Sequence, residues 1–162
     1  MKIIVVSDSH GSYETLNKIA LENQDAYLYL HLGDFEIPEY LMNPYCFIKG
    51  NCDFLSDAPI YKDISTPYGI IHLEHGNHIP YATFDEYVKS KNCLIFLFGH
   101  THQKYQGKVN ETLVLNPGSV SKPRDSNKGS YLILDINSKT DIKVTFKVII
   151  QIMDINSSNS HL

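Results

Sequence analysis

Short apolar runs alternate with segments of helical period through the first hundred residues. Ile3–Val6 is a β-branched run of strand length, consistent with a buried strand. Ser12–Asn23 places Leu16, Ile19 and Ala20 at helical spacing, with Ser12 available as a cap. Residues 26–32 (AYLYLHL) alternate Tyr or His with Leu, which predicts a strand. Ile37–Met42 reads as a short helix beginning near Pro38, and Tyr45–Lys49 as another strand. Ile60–Ser65 and Tyr68–Leu73 flank Thr66-Pro67 and predict a hairpin; Thr83–Lys91 predicts a helix and Cys93–Phe98 a strand. After that the character changes. Val109, Leu113–Leu115, Tyr131–Ile136 and Ile142–Ile150 are β-rich and punctuated by Asn-Pro-Gly, Lys-Gly and Asn-Ser. βα units first and hairpins later imply an α/β domain with sheet on both sides of its core and helices outside.

A chain of 162 residues can bury one core of its own. The expected organisation is a single domain over residues 1–155 and a polar tail, NSSNSHL, over residues 156–162. The formal charge of −4 supplies no basic face, so nucleic acid is not an expected partner. No apolar run approaches the roughly 20 residues that span a bilayer, and no membrane partner is expected. The N-terminus lacks the long apolar stretch of a signal peptide. Three cysteines, Cys46, Cys52 and Cys93, form no CxxC pair, which suits a reducing, cytoplasmic setting.

The residues at the end of each apolar run change the picture. IIVV leads to Ser7-Asp8-Ser9-His10-Gly11, and YLYLHL to Gly33-Asp34. The run around CFIK leads to Gly50-Asn51-Cys52-Asp53, GIIHL to Glu74-His75-Gly76, and CLIFLF to Gly99-His100-Thr101-His102. In α/β folds, sites gather at the carboxyl ends of strands. Asp8, His10, Asp34, Asn51, His75, His100 and His102 therefore point at one place. Seven oxygen and nitrogen donors exceed what one ion takes from protein. They suit two ions about 3.5–4 Å apart that share a carboxylate. Without thiolates the set does not suit structural zinc; mixed carboxylate, amide and imidazole donors suit Mn, Fe or Zn.

SDSHG, GD, GNCD, HG and GHTH, in this order, resemble the calcineurin-like metallophosphoesterases, and most of all their small bacterial and archaeal phosphodiesterases. The segment Asn116-Pro-Gly-Ser-Val-Ser-Lys-Pro-Arg124 resembles that subgroup's segment after the metal motifs. The resemblance spans roughly residues 1–136 and implies a four-layer fold, a two-sheet β-sandwich flanked by helices. It implies a phosphodiesterase acting on a small phosphoester. Two divalent ions, Mn2+ first and Ni2+, Fe2+ or Zn2+ as alternatives, would share a hydroxide that attacks phosphorus in line. Asp8, His10 and His102 would hold the first ion and Asn51, His75 and His100 the second, with Asp34 bridging. Asn51, Asp53 and Arg124 would contact substrate, Arg124 through its guanidinium fork. Relatives of this size imply a homo-oligomer.

The sequence departs from the family pattern at two positions. Cys52 stands where many relatives carry His, and Asn77 replaces the second His of an HGH motif. Asp53, a water or another histidine remains open as the proton donor to the leaving group, and His78 as a substitute for the missing one. His31 and His72, inside strands, read as packed or hydrogen-bonded side chains. Asn116-Pro-Gly reads equally as a plain turn or as part of the site. The alternative function is a non-catalytic, metal-bound interaction scaffold like the retromer subunit of this fold; a complete donor set argues against it.

Overall fold

In a computed structural model that describes residues 1–150, two five-stranded sheets pack face to face. The first sheet holds β1 (Lys2–Val6), β2 (Leu28–His31), β3 (Cys46–Phe47), β9 (Ser130–Ile136) and β10 (Ile142–Val148), in the order β10-β9-β1-β2-β3. The second holds β4 (Tyr61–Thr66), β5 (Gly69–Glu74), β6 (Ile95–Leu97), β7 (Lys104–Val109) and β8 (Thr112–Pro117), in the order β4-β5-β6-β8-β7. β1, β2 and β3 run parallel along one side of the first sheet, with β9 and β10 antiparallel on the other; β5, β6 and β8 form a parallel centre in the second sheet, with antiparallel edges β4 and β7.

The period-2 geometry of β1 explains why its run is apolar throughout. Ile3 and Val5 enter the inter-sheet core with Leu30, Leu73, Leu97 and Leu115. Ile4 and Val6 face the other way, against Leu16 and Ile19 of α1 (Tyr13–Glu22). Both faces are covered, which is the condition for a continuous apolar strand. On the second sheet's outer face, Phe96, Phe98 and Val114 pack on Val88 of α2 (Phe84–Lys91). Helix, sheet, sheet and helix give the four layers expected.

Differences from the sequence reading are local. The segment 37–42 forms only a 3-10 turn at Glu39–Leu41, whose three residues bury no side chain. The strand at 45–49 shortens to Cys46–Phe47. β7, of which only Val109 stood out, is an edge strand; Lys, Tyr, Gln and Gly before it pair with β8 while remaining largely in solvent. The tail expected over residues 156–162 lies outside the described residues.

The parallel strands fix the site. The carboxyl ends of β1, β2, β3, β5, β6 and β8 all meet at one end of the sandwich. The two loops after β1 and β2 continue side by side: the N–H groups of Asp8, His10 and Gly11 donate to the carbonyls of Gly33, Asp34 and Phe35 at 3.0, 3.0 and 2.9 Å.

Candidate metal centre

Eight non-glycine residues among those described have positive φ, and six of them are Asp8, His10, Asp34, Glu36, His100 and His102. They fall as three i, i+2 pairs, one on each of three loops. Such left-handed backbone costs about 1–3 kcal/mol per residue and persists where surrounding structure holds it, typically at functional sites. In the first pair this brings Asp8 Oδ1 and His10 Nε2 to 3.9 Å from each other. Glycines permit the close approach: a Cβ on Gly50 would strike the Asp34 carboxylate, and one on Gly99 would strike Ser7 Oγ and Asp8.

Asp8 is fully buried. Its Oδ2 accepts from Ser7 Oγ at 2.6 Å and from the His100 N–H at 3.0 Å. Its Oδ1 accepts no hydrogen bond. Instead it faces three imidazole Nε2 atoms, those of His102, His75 and His10, at 3.2, 3.8 and 3.9 Å. Asp34 Oδ1 accepts the Cys52 N–H at 2.8 Å, and its Oδ2 lies 3.3 Å from His75 Nε2.

Each of the three rings is anchored at Nδ1 by an acceptor. His75 Nδ1 is 2.8 Å from the Leu32 carbonyl, His102 Nδ1 is 2.7 Å from the Lys122 carbonyl, and His10 Nδ1 is 2.8 Å from Glu36 Oε2. Those partners assign the proton to Nδ1, so in the neutral rings every Nε2 presents a lone pair inward. His10 and His102 then bring two Nε2 atoms within 3.2 Å of each other. Two lone pairs cannot satisfy one another; a cation between them can. His75 Nε2, buried and without a hydrogen-bond partner, makes the same demand. These orphaned donors fit divalent metal. Donor atoms of Asp8, His10 and His102 lie mutually within 4.8 Å, as do those of Asp8, Asp34 and His75.

The titration behaviour agrees with this geometry. Burial raises the Asp8 carboxyl, but His102 and His75 outweigh it and hold it below the usual range. Burial likewise opposes ionisation of Asp34, yet His75 and the Cys52 amide hold it well below normal. His75 is lowered by burial and raised more by Asp34 and Asp8. Asp8 raises His102. His100 is pushed down by burial and by His75. The site thus concentrates negative charge and binds protons where a metal would compete.

The structure brings His100 against His75, ring centroids 5.2 Å apart, with its backbone on Asp8. Asn51 is exposed at the rim, its Nδ2 at 3.5 Å from Cys52 Sγ. Arg124 is exposed beside the site, its N–H donating to the His102 carbonyl. Asp53, expected at the substrate, has its carboxylate engaged by backbone. It is buried, and its two oxygens accept the N–H groups of Asp34, Gly50 and Glu36 at 2.7, 2.7 and 2.8 Å. It clamps the loops after β2 and β3 together. Burial pushes the Cys52 thiol up to about 11, and the negative Asp34 adds to this, so it is neutral near pH 7. His78 is exposed, in a cleft shared with Asn51 and Asn77.

Residues 1–139 match the sequence profile of the calcineurin-like phosphoesterase superfamily domain. The chain belongs to that superfamily. It is 31% identical over 145 residues to the probable metallophosphoesterase YsnB of Bacillus subtilis, an alignment covering 85% of this chain and 86% of YsnB. To the phosphodiesterase YfcE of Escherichia coli it is 25% identical over 190 aligned positions, covering 96% of this chain and 99% of YfcE. The crystal structure of a predicted phosphoesterase from Streptococcus pneumoniae superposes with a TM-score of 0.83 at 28% identity, covering 91% of this chain and 88% of that one.

The chain also carries supporting residues whose work the sequence did not reveal. Glu36, with its strained backbone, orients His10. His31 is fully buried; its Nδ1 accepts the Gly33 N–H at 3.1 Å and its Nε2–H donates to Ser9 Oγ at 2.8 Å. Burial holds its pKa down to about 3, so the ring is neutral. It ties the turn before Asp34 to the residue between Asp8 and His10. Asn116 is buried; its Nδ2 donates to the Gly99 carbonyl and Thr101 Oγ1 at 3.0 and 3.1 Å, which fixes the His100–His102 loop. Ser119 Oγ donates to the Asp8 carbonyl at 2.7 Å, so the Asn-Pro-Gly-Ser turn shapes the site. His72, by contrast, sits in a separate network with Asp63 and Glu74.

Proposed function

We propose that this phosphoesterase is a metal-dependent phosphodiesterase acting on small phosphodiesters in the cytoplasm. The observation that carries the reading is the set of orphaned donors: Asp8 Oδ1 and the Nε2 atoms of His10, His75 and His102, with nothing to bond but a cation. Asp8, His10 and His102 would hold one divalent ion and Asn51, His75 and His100 a second, with Asp34 shared; Mn2+ suits this donor set. When bound, such a pair supplies an acidified water and positive charge against the phosphoryl oxygens.

The chain's own residues do the rest. The acceptors Glu36, Leu32 and Lys122 hold the three Nδ1 protons, which keeps every Nε2 aimed inward. Asp53, His31 and Asn116 hold the loops so that little reorganisation accompanies catalysis. Arg124 supplies a guanidinium fork for a non-bridging phosphate oxygen. Cys52 keeps its proton on Sγ near neutral pH, beside Asn51 at the rim. The name of YfcE supports the diester class. Among the described residues, no helix is long and apolar enough to cross a membrane.

Hydrolysis of bis(4-nitrophenyl) phosphate after loading with Mn2+ tests the reading. Turnover that disappears on chelation and returns with metal supports it. A folded, metal-loaded protein inert toward both diesters and monoesters overturns it.

A further inference from the structure

A cavity of about 490 Å³ opens directly beside the metal centre. It lies between the loop that follows Asp34 and the loop that follows Asn51. Phe35, Ile37, Pro38, Phe54 and Leu55 give it apolar walls. Its size falls in the range of small-molecule sites, about 300–1,000 Å³.

The walls are fixed before anything binds. At the inner end, Asp53 ties the two loops through the Asp34 and Glu36 amides. At the outer end, Glu39 Oε1 accepts Ser56 Oγ at 2.6 Å and the Asp57 N–H at 3.1 Å. A cavity braced at both ends is a preorganised one. On its rim, Phe54 and Leu55 are 87% and 101% exposed, apolar surface that folding leaves unused.

Continuity with the site decides the occupant. Glu36 and Cys52 line the cavity, and their ligating atoms lie within 4.8 Å of each other and of His10. The cavity mouth therefore adjoins the His10 side of the metal centre. Charge narrows the class further. Glu36, Glu39 and Asp53 are among the lining residues, and none is basic. A second phosphate or a carboxylate would be repelled there. The cleft on the other side of the same loop shares Asp53 and Phe54 but differs in carrying Lys49, Asn51, Asn77 and His78.

We propose that this cavity receives one ester arm of the substrate, an uncharged aromatic or branched apolar group. The phosphate then sits at the histidines, and the second arm leaves toward the polar cleft. This inference rests on the phosphodiesterase reading and adds the substrate class: asymmetric recognition of diesters that carry at least one neutral apolar arm.

Leu55→Asp tests it without endangering the fold, because the side chain is fully exposed. With bis(4-nitrophenyl) phosphate, KM should rise at least tenfold while Mn2+ affinity is unchanged. Ile37→Ala should raise KM in the same direction. An independent readout uses the Zn2+-loaded protein and amide chemical shifts. Diphenyl phosphate should shift residues 35–39 and 52–56, and dimethyl phosphate should leave them unmoved. A wild type that hydrolyses the diester, with a Leu55→Asp variant of unchanged KM and no arm-dependent shifts, overturns the cavity inference alone. An inert wild type overturns the phosphodiesterase reading, and this inference with it. If Leu55→Asp instead converts a dimer to a monomer in sedimentation with KM unchanged, the cavity is an interface between copies and the proposal is wrong.

Discussion

Glu36→Gln isolates one contact at the metal centre. The Glu36 carboxylate lies 2.8 Å from His10 Nδ1, where it holds the proton that leaves Nε2 free for a cation. It also makes His10 a better donor, because the negative charge draws the Nδ1 proton and enriches the ring. Gln keeps the size and one accepting oxygen but loses the charge. Changes at such supporting carboxylates weaken metal affinity by about 10–100-fold. The Glu36 side chain is 36% exposed against 8% for His10, so solvent screens the interaction and the lower end applies. The expected loss is therefore about tenfold in Mn2+ affinity, near 1.4 kcal/mol. It should fall on the ion held by Asp8, His10 and His102. Calorimetric titration of the metal-free protein should show one of two Kd values raised and the other within about twofold. Glu36→Asp, one methylene shorter, should recover only part of the affinity. Thermal stability of the metal-free protein should hardly change. Glu36→Gln with both Kd values at wild-type levels refutes the orienting role. Equal weakening of both sites would count against the assignment of His10 to one ion.

Three further outcomes rest on the same geometry. Asp34 and Asp8 raise His75, and Asp8 raises His102, so these rings hold protons to higher pH in the metal-free state. Each proton must leave before metal binds, and Mn2+ affinity should begin to fall already above about pH 6.5, the ordinary imidazole value, as the solution is acidified, with one to two protons displaced per chain; a Kd that stays constant on acidification contradicts it. His31 has a folded pKa of about 3, below its unfolded value, so the unfolded chain binds the extra proton and stability falls as pH drops from about 6.5 toward 3. His31→Leu should remove that pH slope and cost about 2–4 kcal/mol in urea unfolding at pH 7, by stranding the Gly33 N–H and the Ser9 hydroxyl; a loss below about 0.5 kcal/mol would show the two bonds to be unimportant. Asn116→Asp replaces the donor facing the Gly99 carbonyl with an acceptor, and should weaken Mn2+ at both sites because the loop carries both His100 and His102; unchanged titration would show that the loop is held by other means.

Much of this was legible in the sequence because strand ends are legible. A β-branched run such as Ile3–Val6 can hardly be other than a buried strand, and the adjoining Asp8-Ser9-His10 must then emerge at its carboxyl end. The same logic carried Asp34, His75, His100 and His102. Glu36 escaped because nothing next to it marks a site; it meets His10 only because the loops after β1 and β2 run side by side. The left-handed backbone of the i, i+2 pairs is equally invisible, since non-glycine residues rarely adopt it. Asp53 shows the opposite case: the resemblance implied a substrate contact, while the fold adds a clamp, its carboxylate accepting three backbone amides. His31 carries no motif, and Asn116-Pro-Gly reads equally as a plain turn or as part of the site; only their buried hydrogen bonds reveal what they hold. The edge strand β7 lacks the apolar pattern because only its last residue, Val109, is buried.

The most direct test of the account is metal counting coupled to turnover. Metal-free protein titrated with Mn2+ should bind two ions per chain, and hydrolysis of bis(4-nitrophenyl) phosphate should appear as the second one binds. His75→Ala should bind a single ion and lose at least a hundredfold in kcat. Full diesterase activity with no ion bound, or two ions bound with no hydrolysis of any phosphoester, would contradict it.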